Sequence, residues 1–517
     1  MAPKLLVNLD AMIIRSDFAQ IADNDSSYET INQISVQNFT TQGYIGKILR
    51  KPDFQRETNH WSPEQVLSLL ECFVNGDLIP SVILWKSPTF LFVIDGGHRL
   101  SILKSWVEDD YGDGPISLKY FGDSISTNQK KAADKVRKLI GDKVGSYQHY
   151  KTKIENDEID EKISSMLTRA LPVQWVKGDA DKAEASFFKI NTQGTPLDQI
   201  EQSLLENRKR PIAISARAII RAGKGHKYWS NFQKEKSDKV ETIAKNLHST
   251  LFEPEVSTPI KTLDLPLGGS KGIRTALQII IDYIAIACIS QTQKNIKIDY
   301  GEDDEIGNST IVVLLKTQKL TNRITGNDKG SLGLHPAIYY YGPSGVHSSP
   351  LFLGTAKFIS EKLSNNDHDF FKYFTHNRSK IEEVLINHKE LIATVLQKLG
   401  STKRVNSYSI LINEIYKAAK ENKVATEADI VDWIGLKGKI FVGTEKIKSP
   451  NFSDESKSKI FIHSTLKTAP KCPICNGYID SNKSISYDHI RRKQDEGNGD
   501  PDNGQITHPY CNQSIKN

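Results

Sequence analysis

The hydrophobic and polar positions of the chain change their spacing several times, and each change predicts a different class of element. A helix begins where Ser62 can act as its N-cap and Pro63 occupies its first position, and apolar residues then recur at helical spacing. Short apolar runs at residues 79–85 and 90–94 predict two neighbouring strands of a small sheet. A further helix is predicted over residues 100–106.

The pattern differs on either side of this region. The first forty residues alternate weakly and are rich in Ser, Asp and Asn, so they predict an N-terminal arm. Helical periodicity dominates from about residue 212 to 434, which predicts a helical middle region. Within it, the tyrosines at 339–341 favour core packing over base stacking. The clearest helical runs are Ile273–Ile289, Ser349–Leu363, Ile381–Leu399 and Tyr408–Ala419.

These patterns predict an α+β protein made of several domains. A chain of 517 residues exceeds one ordinary domain, and its length suggests about three. The predicted domains are residues 1–210, a helical region over 211–448, a Ser- and Lys-rich linker over 449–460, and a small module over 461–517. The most apolar run, residues 276–290, is too short to span a bilayer and predicts a core helix.

Composition narrows the class of protein further. The net charge of +6 is too mild to predict nucleic-acid binding by itself. Of the five cysteines, Cys72 and Cys288 lie alone in apolar helical contexts and are expected to be buried thiols. A disulfide between them is not expected, so a reducing cytoplasm is the expected compartment. The N-terminus lacks the basic start, apolar core and cleavage site of a secretory signal.

The remaining three cysteines lie in the last forty-six residues and predict a metal site. A C-P-I-C segment presents Cys472 and Cys475 across a tight turn, and His508 and Cys511 repeat that spacing downstream. Four such ligands in two pairs describe a closed structural zinc site, with no open position for a catalytic water. The zinc is therefore expected to hold the fold.

Residues between the two ligand pairs are suited to phosphodiester hydrolysis. That reaction needs a base that activates water and a hard divalent cation, and His489 and Asp488 are the candidates for base and magnesium ligand. The segment resembles the HNH, or ββα-metal, nuclease family. This resemblance implies that Asn503 holds the loop carrying the base and that Asn512 completes the metal site. A zinc module that only binds nucleic acid remains the alternative.

A second candidate site follows the predicted strand at 90–94. The sequence Asp95-Gly96-Gly97-His98-Arg99 joins a strand to a helix through a glycine pair, which places backbone amides and a guanidinium where an anion can bind. Gln55 and Arg56 lie upstream and are assigned to the same site. Alternatively, these side chains only brace the strand end through a buried ion pair.

This arrangement resembles the ParB/sulfiredoxin-like domain with a DGQHR or DGQQR signature, found in restriction and phage-defence proteins of the GmrSD and SspE type. The segment 187–197 matches the second block of that family, F-x-x-I-N-x-x-G-x-P-L. The resemblance implies a domain that senses a DNA modification or a nucleotide. Gly97 stands where the family more often has Gln, which puts nucleotide hydrolysis in question.

Two basic clusters are candidates for DNA contact. The lysines and arginine between residues 130 and 138 are interrupted by acidic residues, which favours a solvated helix face. The denser cluster of Arg208, Lys209 and Arg210 is the better candidate.

Together the two ends predict a metal-dependent HNH DNA endonuclease of the restriction or phage-defence type, controlled by an N-terminal sensor. The expected cofactors are catalytic Mg²⁺ or Mn²⁺, structural Zn²⁺ and, if the sensor takes one, a nucleoside triphosphate. The expected partner is DNA, including modified or phage DNA, with no membrane. A double-strand break would require a homodimer or two cutting events. The alternatives are a non-catalytic zinc-containing DNA-binding or sensor protein, and a nucleotide hydrolase that controls the nuclease.

Overall fold

A computed structural model describes most of the chain, and within it the chain forms two compact units. The first comprises residues 1–208 and 224–228, and the second comprises residues 209–223 and 229–517. The predicted site residue Arg56, residues 194–197 of the second family block and residues 449–450 of the predicted linker lie outside the described residues. The structure describes residues 5–16, 18, 31–55, 58–59, 61–121, 125–193, 199–224, 226–269, 273–289, 298–365, 367–438 and 451–516.

The first unit is built around a mixed sheet. Its strands are β1 (Arg15–Ser16), β2 (Gln33–Ser35), β3 (Leu49–Pro52), β4 (Val82–Lys86), β5 (Leu91–Asp95) and β6 (Ala170–Trp175). Within the described residues the sheet order is β1-β3-β5-β4-β6-β2. Its helices are α1 (Ile45–Ile48), α2 (Pro63–Asn75), α3 (Gly97–Glu108), α4 (Pro115–Phe121), α5 (Thr127–Lys143), α6 (Tyr147–Glu155), α7 (Glu161–Thr168), α8 (Ala180–Gln193) and α9 (Gln199–Glu206).

The sequence predictions for the centre of this unit are confirmed. Ser62 caps α2 through its side chain, and Gly76 ends that helix in a left-handed conformation with a φ of 83°. The strands β4 and β5 pair antiparallel, as neighbouring apolar runs predicted. Helix α3 extends the predicted 100–106 helix toward both ends.

The prediction of an N-terminal arm is wrong for the described part of the first forty residues, which contributes to the core of this unit. Val7, Leu9 and Ile13 are buried there, and β1 and β2 join the two edges of the sheet. The weak alternation of these residues therefore reflects very short strands whose partners are distant in sequence, β3 and β6.

The second unit is mainly helical. Its helices are α10 (Pro211–Ile220), α11 (Lys234–Phe252), α12 (Ile273–Cys288), α13 (Asn308–Ile324), α14 (Pro336–Tyr339), α15 (Ser349–Ser364), α16 (His368–His376), α17 (Arg378–Asn387), α18 (Lys389–Gln397), α19 (Ser401–Lys420), α20 (Glu427–Trp433) and α21 (Asp454–Leu466). A hairpin of β7 (Ser486–His489) and β8 (Gly504–Thr507) and a π-helix over Cys511–Ile515 complete it.

Several details of the predictions for this unit need correction. The helical run 381–399 is divided into α17 and α18 at His388. Helix α21 occupies residues for which a linker was predicted, because Ser453 caps it and Ile462 and Leu466 are buried. The lone cysteines Cys72 and Cys288 are half-buried and unpaired by disulfides.

The expectation for the tyrosine cluster is confirmed. The tyrosines 339–341 are all buried, so their role is packing. Among the described helices, none combines the length and apolar character needed to cross a bilayer.

Candidate functional site

The predicted zinc ligands lie together in the second unit. The sulfur atoms of Cys472, Cys475 and Cys511 and a ring nitrogen of His508 lie within 4.8 Å of one another, and all four residues are buried. Tetrahedral zinc with bonds of about 2.3 Å would hold its sulfur ligands about 3.8 Å apart. The spacing and donor types therefore fit a zinc ion, which the cluster could hold.

The environment of His508 also suits a metal ligand. Its Nδ1 lies 3.3 Å from the sulfur of Cys475, while Nε2 lies 2.9 Å from the main-chain oxygen of Tyr478. A bond from the second ring nitrogen fixes the orientation and tautomer of a ligating imidazole. Burial lowers the pKa of His508, with a further contribution from the nearby guanidinium of Arg378. Both effects favour the neutral ring that binds metals.

The hairpin carrying the candidate base is held by Asn503. Strands β7 and β8 pair antiparallel, with Asp488 opposite Gln505. The Oδ1 of Asn503 accepts a hydrogen bond from the main-chain amide of Arg491 at 2.7 Å, and its Nδ2 donates to the main-chain oxygens of Arg491 and Asn498. Asn503 therefore fixes the chain directly after His489.

The terminal π-helix is tied to β7 by Asn512. Its Nδ2 donates to the hydroxyl of Ser486 at 2.8 Å and to the main-chain oxygen of Tyr487 at 3.1 Å. Both amide hydrogens are thus used, and within the described residues no hydrogen bond reaches its Oδ1. The amide oxygen is left available beside the strand that carries Asp488.

The carboxylate of Asp488 is positioned by two partners that sequence reasoning did not identify. Its Oδ2 accepts hydrogen bonds from Gln505 Nε2 and Lys516 Nζ, both at 2.7 Å. Lys516 also donates to the main-chain oxygen of His489. Within the described residues Oδ1 accepts no hydrogen bond. Lys516 lies four residues after Asn512, a helical spacing that places both side chains on one face. This spacing was the sequence signal from which the contact between Lys516 and Asp488 could have been predicted.

The imidazole of His489 lies at the end of β7 and is half-buried. Within the described part of the chain it makes no hydrogen bond, so its ring nitrogens are accessible to solvent or substrate. The neighbouring Tyr487 and Ile490 are exposed on the same hairpin. This end of the hairpin therefore combines an accessible base with oxygen atoms suited to a hard cation.

The residues of the second candidate site line a cavity of about 300 Å³ in the first unit. Gln55 and residues 95–99, which the sequence assigned to one site, contribute to its wall. The other lining residues are Thr58, Trp61, Leu69, Pro80, Ile94 and Phe187.

The glycine pair shapes this cavity. Gly96 has a φ of 92°, and a Cβ there would lie 2.6 Å from a side-chain carbon of Val82. A Cβ at Gly97 would lie 3.2 Å from both polar atoms of the Gln55 amide. Gly97 therefore lets that amide approach the start of α3. The Oε1 of Gln55 is buried and has no hydrogen-bond partner in the described residues.

Some charged and aromatic side chains of the cavity contact one another or the main chain. Arg99 pairs with Asp95 at 2.5 Å and donates to the main-chain oxygen of Pro80 at 3.2 Å. The ring of His98 stacks on Trp61, with ring centroids 5.5 Å apart. The ion pair by which the sequence suggested that these side chains brace the strand end is thus present, between Arg99 and Asp95. Both residues nevertheless line an open cavity.

The three residues of the predicted DNA-contact cluster differ in their exposure to solvent. Arg208 is largely buried and pairs with Asp53 at 2.7 Å and Glu184 at 3.1 Å, which favours a structural role. Lys209 and Arg210 are exposed. In the earlier basic stretch, Lys135 and Arg137 form ion pairs, as expected for a solvated face.

Comparison with known proteins identifies a relative of the first unit. Residues 36–208 match the family model of the GmrSD restriction endonuclease N-terminal domain. The match covers β3 to β6, α3 and the cavity, about one third of the chain. Comparison with curated proteins gives no match, and comparison with solved structures gives none either.

Proposed function

We propose that the protein is a metal-dependent DNA endonuclease of the HNH type, acting in restriction or phage defence. The observation that carries the proposal is the arrangement of Asp488 and Asn512 on facing elements. Each keeps one oxygen, Oδ1, without a protein hydrogen bond among the described residues, while their remaining polar atoms are fixed by neighbours. Carboxylate and amide oxygens are the ligands that magnesium prefers.

The residues of the hairpin have separate roles in this proposal. Asp488 and Asn512 would hold the divalent cation, which supplies charge stabilisation on the scissile phosphate and the leaving oxygen. The accessible imidazole of His489 accepts the proton of the attacking water. Asn503 holds the loop after His489 in place. Zinc held by Cys472, Cys475, His508 and Cys511 would tie the Cys472–Cys475 turn to the start of the π-helix, directly after β8.

The match of residues 36–208 supports the biological setting. A restriction endonuclease must separate foreign DNA from host DNA, and an N-terminal sensor linked to a C-terminal nuclease would do so by reading a modification or a bound nucleotide. We therefore propose that substrate choice is made in the first unit and cleavage in the second.

Plasmid cleavage by the full chain tests the nuclease proposal. Magnesium should support nicking of supercoiled DNA, and EDTA should abolish it. His489→Ala should reduce cleavage at least a hundredfold while zinc content and circular dichroism stay unchanged. His463→Ala, which removes an exposed histidine of the same unit, should cut normally. If modified and unmodified phage DNA both stay intact, the nuclease proposal is refuted and a binding-only zinc module takes its place.

A second function is favoured by the cavity of the first unit: binding of a nucleotide through its phosphates. The start of α3 presents backbone amides and Arg99 supplies a positive charge for the phosphates. The buried Oε1 of Gln55 has no partner among the described residues and is available to accept a hydrogen bond from a donor elsewhere on the nucleotide. That amide lies against Gly97, the position at which the related family more often carries Gln.

Calorimetric titration with ATP, GTP and CTP tests this second function, together with phosphate release. Arg99→Ala should weaken binding at least tenfold, since it removes the guanidinium from the cavity wall. Lys119→Ala removes an exposed charge outside the cavity and should leave binding unchanged. A cavity that binds none of the three nucleotides would have a bracing role only.

A further inference from the structure

Helix α13 in the second unit presents a positively charged face. It contains no acidic residue along its 17 positions. Lys316, Lys319 and Arg323 follow one another at spacings of three and four, so their side chains share one face. Both lysines are exposed. The row extends for about 10 Å along the helix axis.

Two adjoining cavities continue this face toward the candidate nuclease centre. One of about 310 Å³ is bordered by Lys319, Arg323 and the polar Gln318 and Asn322. The next, of about 370 Å³, is bordered by Arg323, Lys329 and Lys372 together with Tyr510 and Ser514. Because Arg323 and Gly330 line both, the two cavities form one surface, here named the basic groove.

The positive charge of the basic groove is only partly offset by acidic residues that line it. Among the described residues, no carboxylate forms an ion pair with Lys319, Lys329 or Lys372. Asp328 is the acidic residue that lines the groove, and it accepts a hydrogen bond from Asn322 at 2.5 Å.

Arg323 is fixed at the centre of the groove. Its guanidinium lies over the ring of Phe371 at 4.5 Å and that of Tyr510 at 5.5 Å, and it donates to the main-chain oxygen of Gly330 at 2.8 Å. Burial lowers its pKa from the ordinary value. Such a rigid, partly dehydrated guanidinium is suited to a phosphate group.

The groove is connected to the candidate metal site through the terminal π-helix. Tyr510 and Ser514 line the groove, while Asn512 between them faces the opposite way, toward β7. Tyr510 is also fixed by a hydrogen bond from its main-chain amide to the oxygen of Ser331 at 3.0 Å. One short helix therefore separates the groove from the oxygen atoms proposed to bind magnesium.

We propose that the basic groove binds the phosphate backbone of duplex DNA beside the point of cleavage, an inference that rests on the proposed nuclease function. The row of Lys316, Lys319 and Arg323, which leads into the groove, spans about 10 Å and matches roughly three phosphates of one strand at their axial spacing of 3.4 Å. Amide side chains between the cations donate to phosphate oxygens without reading sequence. Helices of the middle region thus serve as the DNA platform of the nuclease.

Salt-dependent DNA binding tests this inference in the full chain carrying His489→Ala, which prevents cutting. Fluorescence anisotropy with a duplex oligonucleotide gives the slope of log affinity against log salt concentration. Adding Lys329→Ala and Lys372→Ala should reduce that slope by about 2, since each lost phosphate contact contributes about 0.9. Affinity at low salt should fall at least tenfold.

The matched control replaces two exposed lysines of the same unit that line neither cavity, Lys398→Ala and Lys403→Ala. This double variant loses the same amount of positive charge and should retain most of the slope of log affinity against log salt concentration. Equal slopes for the two double variants would overturn the inference, as would a full chain that does not bind duplex DNA. The nuclease proposal fails separately, if the wild-type chain binds DNA through the groove and does not cut it.

Discussion

The buried side chains of Arg378 and Glu382 form an ion pair at 2.7 Å within α17, and both also bond to the main chain of Tyr478, beside the cysteine cluster. Arg378 also donates to the main-chain oxygens of Leu332, Gly333 and Tyr478. Glu382 accepts the main-chain amide of Tyr478 at 2.8 Å. Since the oxygen of Tyr478 also contacts His508, one short path connects α17 with the candidate zinc ligands.

We predict that Arg378→Ala lowers the free energy of unfolding of the protein by about 3–5 kcal/mol, because it leaves the Glu382 carboxylate buried without its charge partner. Urea denaturation measures the change. Glu383→Ala alters an exposed residue of the same helix and should change stability by less than about 0.5 kcal/mol. Equal stabilities of the two variants would show that the buried pair does not join the two regions.

Cys472→Ser should remove one equivalent of zinc and lower the melting temperature by on the order of 10 °C, because a structural zinc site contributes its binding free energy to folding. Zinc analysis and calorimetry measure both effects. Cys288→Ser changes a half-buried thiol outside the cluster and should keep the metal. Full zinc content in Cys472→Ser would exclude the proposed ligand set.

Gln505→Ala should raise the magnesium concentration needed for half-maximal cleavage by about 10- to 100-fold, because Gln505 orients the Asp488 carboxylate. The maximal rate at saturating magnesium should change much less. Gln513→Ala alters an exposed residue of the terminal π-helix and serves as the control. A loss of maximal rate without any change in magnesium requirement would contradict a positioning role.

Stability should decrease as the pH falls from 6.5 to about 4, and His347 should account for part of the decrease. Burial lowers the pKa of His347 to about 4, so in this window the unfolded chain binds a proton that the folded chain does not. The contribution is about 1.4 kcal/mol per pH unit. His347→Gln should flatten the measured dependence by that amount, whereas the exposed His463→Gln should not.

Gly96→Ala should destabilise the first unit by about 1–3 kcal/mol, since its φ of 92° is unfavourable for a residue with a Cβ and that Cβ would overlap Val82. Thermal unfolding measures the loss. Gly141→Ala is the control, because Gly141 lies within α5 and has open space around it. This variant should be slightly more stable than the wild-type protein, since alanine favours the helix more than glycine does. If both variants were equally stable, the conformation at the start of α3 would not require glycine.

Local sequence signals predicted the elements whose determinants are close together along the chain. Ser62 and Pro63 mark the start of α2 because capping involves only neighbouring residues. The paired spacing of Cys472 with Cys475 and of His508 with Cys511 predicted the cluster, since each turn brings its own two ligands together. Gln55 and Asp95 are forty residues apart and were assigned to one site through the family resemblance, not a local signal; both line the cavity.

Contacts between distant residues were not predictable in this way. Nothing near Arg378 in the sequence indicates that it reaches Tyr478, one hundred residues later. The edge strands β1 and β2 are too short to produce a periodic signal, so their segment was predicted as an arm. The division of 381–399 into two helices was also missed, since the apolar spacing continues across His388.

By itself, the sequence determined the chemical types available at each end of the chain: three thiols and an imidazole, an Asp-His pair, and a glycine turn followed by Arg99. Only the tertiary structure decided which atoms remain available for ligands. It commits Oδ2 of Asp488 to Gln505 and Lys516, and it places Asn512 against β7. It also brings Lys319, Lys329 and Lys372 together in the basic groove. The physical reason is that hydrogen bonding and burial act between groups close in space, and folding brings those groups together from positions far apart in the chain.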